Sequence, residues 1–304
     1  MAETYSWGRF PRVDAEEVSP RSEADAQDFV SHTSGVTPRG LGRSYGDSSL
    51  GKNLVNTRNL DHFIDFDEET GLLTCQSGVS LDEILRVFVP RGWFLPVTPG
   101  TKFITVGGAI ACDVHGKNHH VEGTFADHVT SLKLLVGGGE VLETSPSLQA
   151  DLFRATCGGM GLTGLILEAT FRLKKINSSH IVETTYKCAN LDEVISRFEE
   201  TKDATYSVAW IDCLATGNKL GRSLLMVGEH AQHGPLVAHD NKAIPVPFDF
   251  PAFLMNKFTM TVFNWLYFNK ALRKKHTRTI PYQPFFYPLD VARDWNRLYG
   301  TPGF

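Results

Sequence analysis

Residues 99–128 read PGTKFITVGGAIACDVHGKNHHVEGTFADH, a run dense in glycine, small residues and histidine. Gly107-Gly108-Ala109 lets backbone lie flush against a flat ligand, because no side chain holds it off. His115-Gly116-Lys117-Asn118-His119-His120 then supplies donors and positive charge. Upstream lies a second glycine-rich loop, RGLGRSYGD, from Arg39 to Asp47. Two such loops, separated by a short strand-and-helix unit, predict a large phosphate-bearing cofactor held from two sides.

The wider chain sets bounds. At 304 residues two domains are expected, and 42% hydrophobic with 11% aromatic content supports a real core. A net charge of −4 offers no global basic field, so nucleic acid is not an expected partner. Cys75, Cys112, Cys157, Cys188 and Cys213 form no CxxC pair, which fits a reducing compartment. The N-terminus lacks an apolar signal region. The expected location is cytoplasmic or peripheral on a membrane, with no signal peptide and no transmembrane helix.

Periodicity points to a mixed α+β chain. A short amphipathic helix is expected over 22–31 and a strand over Leu72–Gln76. Ser80-Leu81-Asp82-Glu83 is a capping box, followed by Leu81, Ile84, Leu85 and Phe88 on one helical face. Val129–Val136 and Glu140–Thr144 flank three glycines as a hairpin, and Leu162–Lys174 reads as a further strand. The polar run Lys174–Ser179 predicts a boundary, giving domains 1–175 and 176–304. In the second, Asn190 caps a helix with Leu191, Val194, Ile195 and Phe198 on one face. Strands are expected over Thr205–Leu214 and Arg222–His230, joined at Thr216-Gly217-Asn218, making a second α+β unit with an antiparallel sheet. Gln232–Pro247 reads as a loop.

Pro251–Phe268 is apolar, but Asn256, Lys257 and Asn264 interrupt it, and a spanning helix needs about 20 mostly apolar residues. Lys270, Arg273, Lys274, Lys275 and Arg278 follow. A core helix with a solvated basic end is the plainer reading, and an interfacial membrane contact over 251–278 is the alternative. The final residues, 295–304, form a turn sequence that leads onward, so a C-terminally truncated polypeptide is expected.

Each motif has a plain rival. Gly40, Gly42 and Gly46 give G-x-G-x-x-x-G, not the Rossmann fingerprint. Gly159-Met160-Gly161-Leu162-Thr163-Gly164 matches that fingerprint, but it precedes a strand and opens no helix, so it reads as a turn. Arg39–Asp47 can form a backbone anion nest, with charge from Arg39 and Arg43 and side-chain fixing by Ser44 and Asp47. Taken alone, a structural turn is the better reading. His115, His119 and His120 do not read as a metal site, because Lys117 lies among them and repels a cation. A buried imidazole with an ammonium beside a cofactor suits an anionic or hydroxylated substrate. Cys112 is a nucleophile only with a lowered pKa, and core packing is its rival.

RGLGRSYGD at 39–47 and TPGTKFITVGGAIACDVHGKNHH at 98–120 resemble the flavin domain of the decaprenylphosphoryl-β-D-ribose 2′-oxidase family. That family belongs to the vanillyl-alcohol-oxidase-like flavoproteins. The likeness continues through CGGMGLTGLILEATFRL at 157–173, YSVAWID at 206–212 and YPLDVARDWNRLYG at 287–300. It implies a two-subdomain PCMH-type FAD-binding domain and a partial substrate domain. Arg39, Gly40, Leu41, Gly42, Arg43, Ser44, Tyr45, Gly46 and Asp47 would wrap the pyrophosphate. Gly100, Thr105, Val106, Gly107, Gly108, Cys112, Asp113 and His115 would line the cofactor, with Ile166 near the adenine.

Other superfamily members tether flavin through a histidine where this chain has Arg43, so non-covalent FAD is expected. His115 and Lys117 would face the substrate in catalysis, and Trp210 and Tyr287 would border the sugar, with aromatic core packing as the rival for both. The implied reaction oxidises the 2′-hydroxyl of a polyprenyl-phosphoryl ribose to a keto sugar. A separate NADH-dependent keto-reductase would complete an epimerisation to arabinose for cell-envelope glycans. Quinone or oxygen would accept the electrons. An oxidase of a soluble sugar or alditol, and a truncated non-catalytic flavin-binding module, are the competing expectations.

Overall fold

A computed structural model describes residues 2–238, 243–251, 253 and 255–300. The chain forms two compact units. Among the described residues, the first comprises those up to Gly116 together with Glu122–Lys175, and the second comprises Lys117–Val121 and residues 176–300.

Two sheets build the first unit. Strands β1 (Ala2–Tyr5), β2 (Arg12–Val18), β3 (Val36–Arg39) and β4 (Asn53–Asn56) run in the order β1-β2-β4-β3, with β2 and β3 parallel to β4. Strands β5 (Phe63–Phe66), β6 (Leu72–Gln76), β8 (Val129–Leu135), β9 (Val141–Thr144) and β10 (Leu165–Arg172) form an antiparallel sheet ordered β5-β6-β10-β8-β9. Short strands β7 (Trp93–Phe94) and β11 (Lys174–Lys175) pair separately.

Helix α1 (Glu23–His32), capped by the Ser22 hydroxyl, joins the two sheets. It buries Ala26 and Val30 against Val55 of β4, Leu135 of β8 and Leu165 and Leu167 of β10. Helix α2 (Leu81–Phe88) carries the expected reciprocal capping box, and Leu81, Ile84, Leu85 and Phe88 are all buried. The expected hairpin is β8 and β9. Strand β10 starts at Leu165 rather than Leu162, because Gly161 and Gly164 hold φ of +81° and +150° and interrupt extended backbone.

The second unit has one antiparallel sheet of β12 (His180–Cys188), β13 (Tyr206–Ile211), β14 (Ser223–His230) and β16 (Lys275–Pro281), ordered β13-β14-β12-β16. Between β14 and β16 lies the short strand β15 (Ile244–Pro245), paired in parallel with β17 (Ala292–Arg293). Helices are α3 (Val106–Ala111), α4 (His119–Glu122), α5 (Ala150–Thr156), α6 (Leu191–Glu200), α7 (Lys257–Asn269) and α8 (Tyr282–Phe286). The α+β expectation holds, including the antiparallel sheet of the second part.

Two helices depart from expectation. Asn190 caps α6 as read, but only Val194 is buried and enters the core of Cys188, Leu225 and Val227. Leu191, Ile195 and Phe198 remain exposed. The core reading of 251–268 is overturned more sharply. In α7 the one buried residue is Asn264, and Phe258, Val262, Phe263, Trp265 and Leu266 face outward. Of the expected loop 232–247, residues 239–242 lie outside the described residues, as do 252, 254 and 301–304. Among the described residues no helix is long and apolar enough to cross a membrane.

Candidate functional site

The loop that leaves β3 is held from beneath by its own first residue. Arg39 donates to the Ser49 carbonyl at 3.0 Å and to the Tyr5 carbonyl at 2.8 Å. Its guanidinium fills the space where a side chain on Gly42 would stand, and Gly42 itself holds φ of +61°. The positive φ favours glycine there. Trp7 donates its N–H to the Ser44 carbonyl at 3.0 Å, and the Arg43 guanidinium lies 3.9 Å from the Trp7 ring centre. The loop is therefore braced, and its remaining groups point elsewhere. The backbone N–H groups of Gly42, Ser44, Gly46 and Asp47 donate to no group among the described residues. Leu41, Tyr45, Gly46 and Asp47 are exposed. Such N–H groups on a fixed, open turn are available to an anion.

The second glycine stretch touches the first. A side chain at Gly40 would overlap the Thr105 hydroxyl, so the two segments meet at van der Waals distance. Thr105 is buried and caps α3, accepting from Gly108 N–H at 3.1 Å. Gly107 donates to the Ser77 carbonyl at 2.8 Å, and a Cβ there would stand 3.0 Å from that of Ser77. Val106 is fully buried. The N-terminal turn of α3 is thus consumed by protein partners, unlike the 39–47 loop. Around Gly46 and Gly100, nothing lies within 4 Å of the Cβ position. Asp113 holds φ of +40° and its carboxylate accepts from Ala126 N–H at 3.0 Å.

Sequence reasoning missed a third wall. The Cys157–Gly164 turn docks on the end of α3, with Gly158 N–H donating to the Ile110 carbonyl at 3.0 Å and Met160 N–H to that of Ala111 at 2.8 Å. Gly161 approaches Pro38 of β3, its Cβ position lying 3.4 Å from Cγ. This turn therefore bridges the other two glycine segments. Its signal was present in the sequence as the GMGLTG match. It is indeed no Rossmann turn, and its glycines serve the positive φ at 158, 161 and 164.

The other expected residues divide clearly. Cys112 is exposed at the C-cap of α3 rather than packed in the core. The chain around its sulfur nonetheless desolvates it and raises its pKa, which disfavours a thiolate. His115 is exposed and bridges to Thr124, contrary to the expected buried imidazole. Ile166 is buried in β10. Lys117 belongs to the second unit, where its carbonyl accepts from Ser207 N–H at 2.8 Å and its ammonium lies 5.9 Å from the Phe285 ring. Burial lowers its pKa to about 8. His120 accompanies it, bonding the Ala204 carbonyl at 2.9 Å. Trp210 is half-buried, tilted over Tyr267 at 4.7 Å. Tyr287 is 1% exposed and packs edge-on to Tyr282, in the same aromatic group as Phe286. It takes the core-packing alternative. No metal-binding group of histidine, cysteine and carboxylates occurs among the described residues.

Residues 16–145 match the FAD binding domain family. The matched segment is an FAD-binding domain, and the cofactor of that domain is FAD. The chain is 38% identical, over 89% of its length, to the decaprenylphosphoryl-β-D-ribose oxidase of Mycolicibacterium smegmatis, covering 62% of that protein. A putative D-arabinono-1,4-lactone oxidase of Neurospora crassa is 34% identical over 45% of this chain and 25% of its own. The D-2-hydroxyglutarate dehydrogenase of Escherichia coli is 30% identical over 42% of this chain and 14% of its own. The likeness to the decaprenylphosphoryl-ribose oxidase family thus extends past the flavin domain. The chain spans about three fifths of the length of the mycobacterial relative.

The cradle fits FAD on its own terms. It has unsatisfied backbone donors for a pyrophosphate, and open space over Gly46 and Gly100 where side chains would intrude.

Proposed function

We propose that this chain serves the FAD-dependent oxidation of the 2′-hydroxyl of a polyprenyl-phosphoryl-β-D-ribose to the 2′-keto sugar. A keto-reductase using NADH would then yield the arabinose epimer for cell-envelope glycans. The observation that carries the reading is the similarity to the mycobacterial oxidase, which runs on through the second unit, the part that would hold the sugar.

When bound, FAD supplies a two-electron acceptor, which quinone or oxygen reoxidises. The chain's own residues do the rest. Free N–H groups of the 39–47 loop hold the pyrophosphate, and Arg43, stacked on Trp7, offers no tether, so the flavin is held non-covalently. His115 faces the substrate. Lys117 stabilises the phosphate or the alkoxide that develops as the proton leaves. Its depressed pKa keeps it mostly charged at neutral pH yet able to exchange a proton. Trp210, packed on Tyr267, borders the sugar. A peripheral membrane contact through 251–278 would bring the protein to its lipid-linked substrate.

The test is anaerobic mixing of the flavin-loaded protein with a short-chain polyprenyl-phosphoryl ribose, followed by flavin absorbance. Bleaching is expected, with kcat/KM lowered about 100-fold in Lys117→Ala. Bleaching by soluble alditols alone would replace this substrate class, and no bleaching by any sugar would leave a binding module.

A further inference from the structure

Helix α7 is built inside out. Its buried residue is the polar Asn264, whose amide donates to Asp212 Oδ1 at 2.6 Å. Asp212 is itself buried and paired with Arg222 at 2.6 Å. The helix is thereby pinned by a polar bolt; Tyr267 packs on Trp210 and Phe268 lies under Lys187 and Arg222, while Phe258, Val262, Phe263, Trp265 and Leu266 remain exposed. Phe258 is 76% exposed, and Trp265 and Leu266 are each 56% exposed. Beyond its end, Leu272 is 93% exposed. Soluble chains rarely leave such a contiguous apolar face open unless something covers it.

Charge identifies what covers it. From Phe250 to Leu289 the chain contains no aspartate or glutamate, and it carries Lys257, Lys270, Arg273, Lys274, Lys275 and Arg278. Arg278 is paired with Glu183 at 2.9 Å. At the C-terminal end of α7 a cavity of about 270 Å³ gathers Lys187, Arg197, Lys274, Lys275 and Tyr186. Lys187 ties this cavity to the helix, donating to Asn269 Oδ1 at 3.2 Å and to the Ala271 carbonyl at 3.0 Å. Its two acidic residues are engaged: Glu193 accepts from Ala189 N–H at 2.7 Å and Glu200 is paired with Arg197. The cavity is net cationic and suited to a phosphate.

We propose that α7 and this cavity form a docking site for an anionic bilayer. The aromatic face enters the headgroup boundary, and the cavity takes a lipid phosphate. A second copy of the chain is a poor occupant, because a two-fold contact would place the flanking cations against themselves. The inference deepens the membrane contact named above, but it does not depend on the sugar chemistry.

The test is co-sedimentation with vesicles of phosphatidylcholine, alone or with phosphatidylglycerol, without any substrate. Preferential binding to the anionic vesicles is expected, weakened by salt. The double variants Phe258→Ser with Trp265→Ser, and Lys274→Glu with Lys275→Glu, should each lower the partition coefficient about tenfold or more. Unchanged circular dichroism and flavin content would show that they fold. Equal binding to both vesicle types, or anionic binding that survives both variants, would overturn the proposal. So would self-association through Trp265, or phosphate protection of Lys274 from acylation, in a protein that ignores vesicles. A protein that binds vesicles but reduces no flavin would retain this inference and lose the oxidase reading. The reverse result would separate them the other way.

Discussion

Helices α2 and α7 read alike in the sequence and fold oppositely. Both have an N-terminal capping box and a run of large apolar side chains. In α2 those side chains fall at i, i+3, i+4 and i+7, and all are buried. In α7 the apolar residues nearly encircle the helix, so periodicity names no face. The inward face carries a polar residue instead, Asn264, hydrogen-bonded to the buried Asp212 carboxylate. Hydrophobic pattern places a helix only where it is one-sided.

The largest expected effect lies in α2. Leu85→Ala should cost about 2–5 kcal/mol in a denaturant titration, while Leu266→Ala in α7 should change stability by less than about 0.5 kcal/mol. Equal costs would erase the contrast. Next, Asn264→Leu adds apolar volume to a buried site yet should destabilise by about 1–3 kcal/mol, since it strips a donor from Asp212. A stabilised variant would show that the bolt is incidental.

Burial works against the Asp212 carboxylate, but hydrogen bonds from Arg222, Leu214 N–H and Asn264 prevail and hold its pKa below the ordinary value. Its contribution is therefore present above the unfolded pKa near 3.8 and lost as pH falls through the lower folded value. Asp212→Asn should flatten that acid limb.

At Lys117, affinity for a phosphate-bearing substrate analogue should fall about tenfold from pH 7 to pH 9, as a group of pKa about 8 loses its proton. The variant Lys117→Gln should bind weakly at both values. Ser80→Ala, which removes only the α2 cap, should cost about 1 kcal/mol by thermal melting.

Much of the first unit was legible because its signals are local. The capping box at Ser80, the glycine hairpin and the loop at 39–47 are each set by a few adjacent residues. The bracing of that loop was not legible. Trp7, Tyr5 and Ser49 reach it from other segments, and no short-range pattern marks such pairs. The Cys157–Gly164 turn was recognised as a turn, but its seat against Ala111 and Pro38 is a tertiary fact. His115 and Lys117 sit two positions apart, yet the chain passes from one unit to the other between them. Spacing alone carries no sign of that division.

The most direct test of the account is the absorbance spectrum of the purified protein, repeated on the supernatant after acid precipitation. The free donors of the 39–47 loop and the stacked Arg43 predict flavin bands that move wholly into the supernatant, identifying FAD held without a covalent bond. Bands that stay with the pellet would contradict the reading of Arg43. A protein that takes up no flavin, even from excess FAD, would contradict the cradle itself.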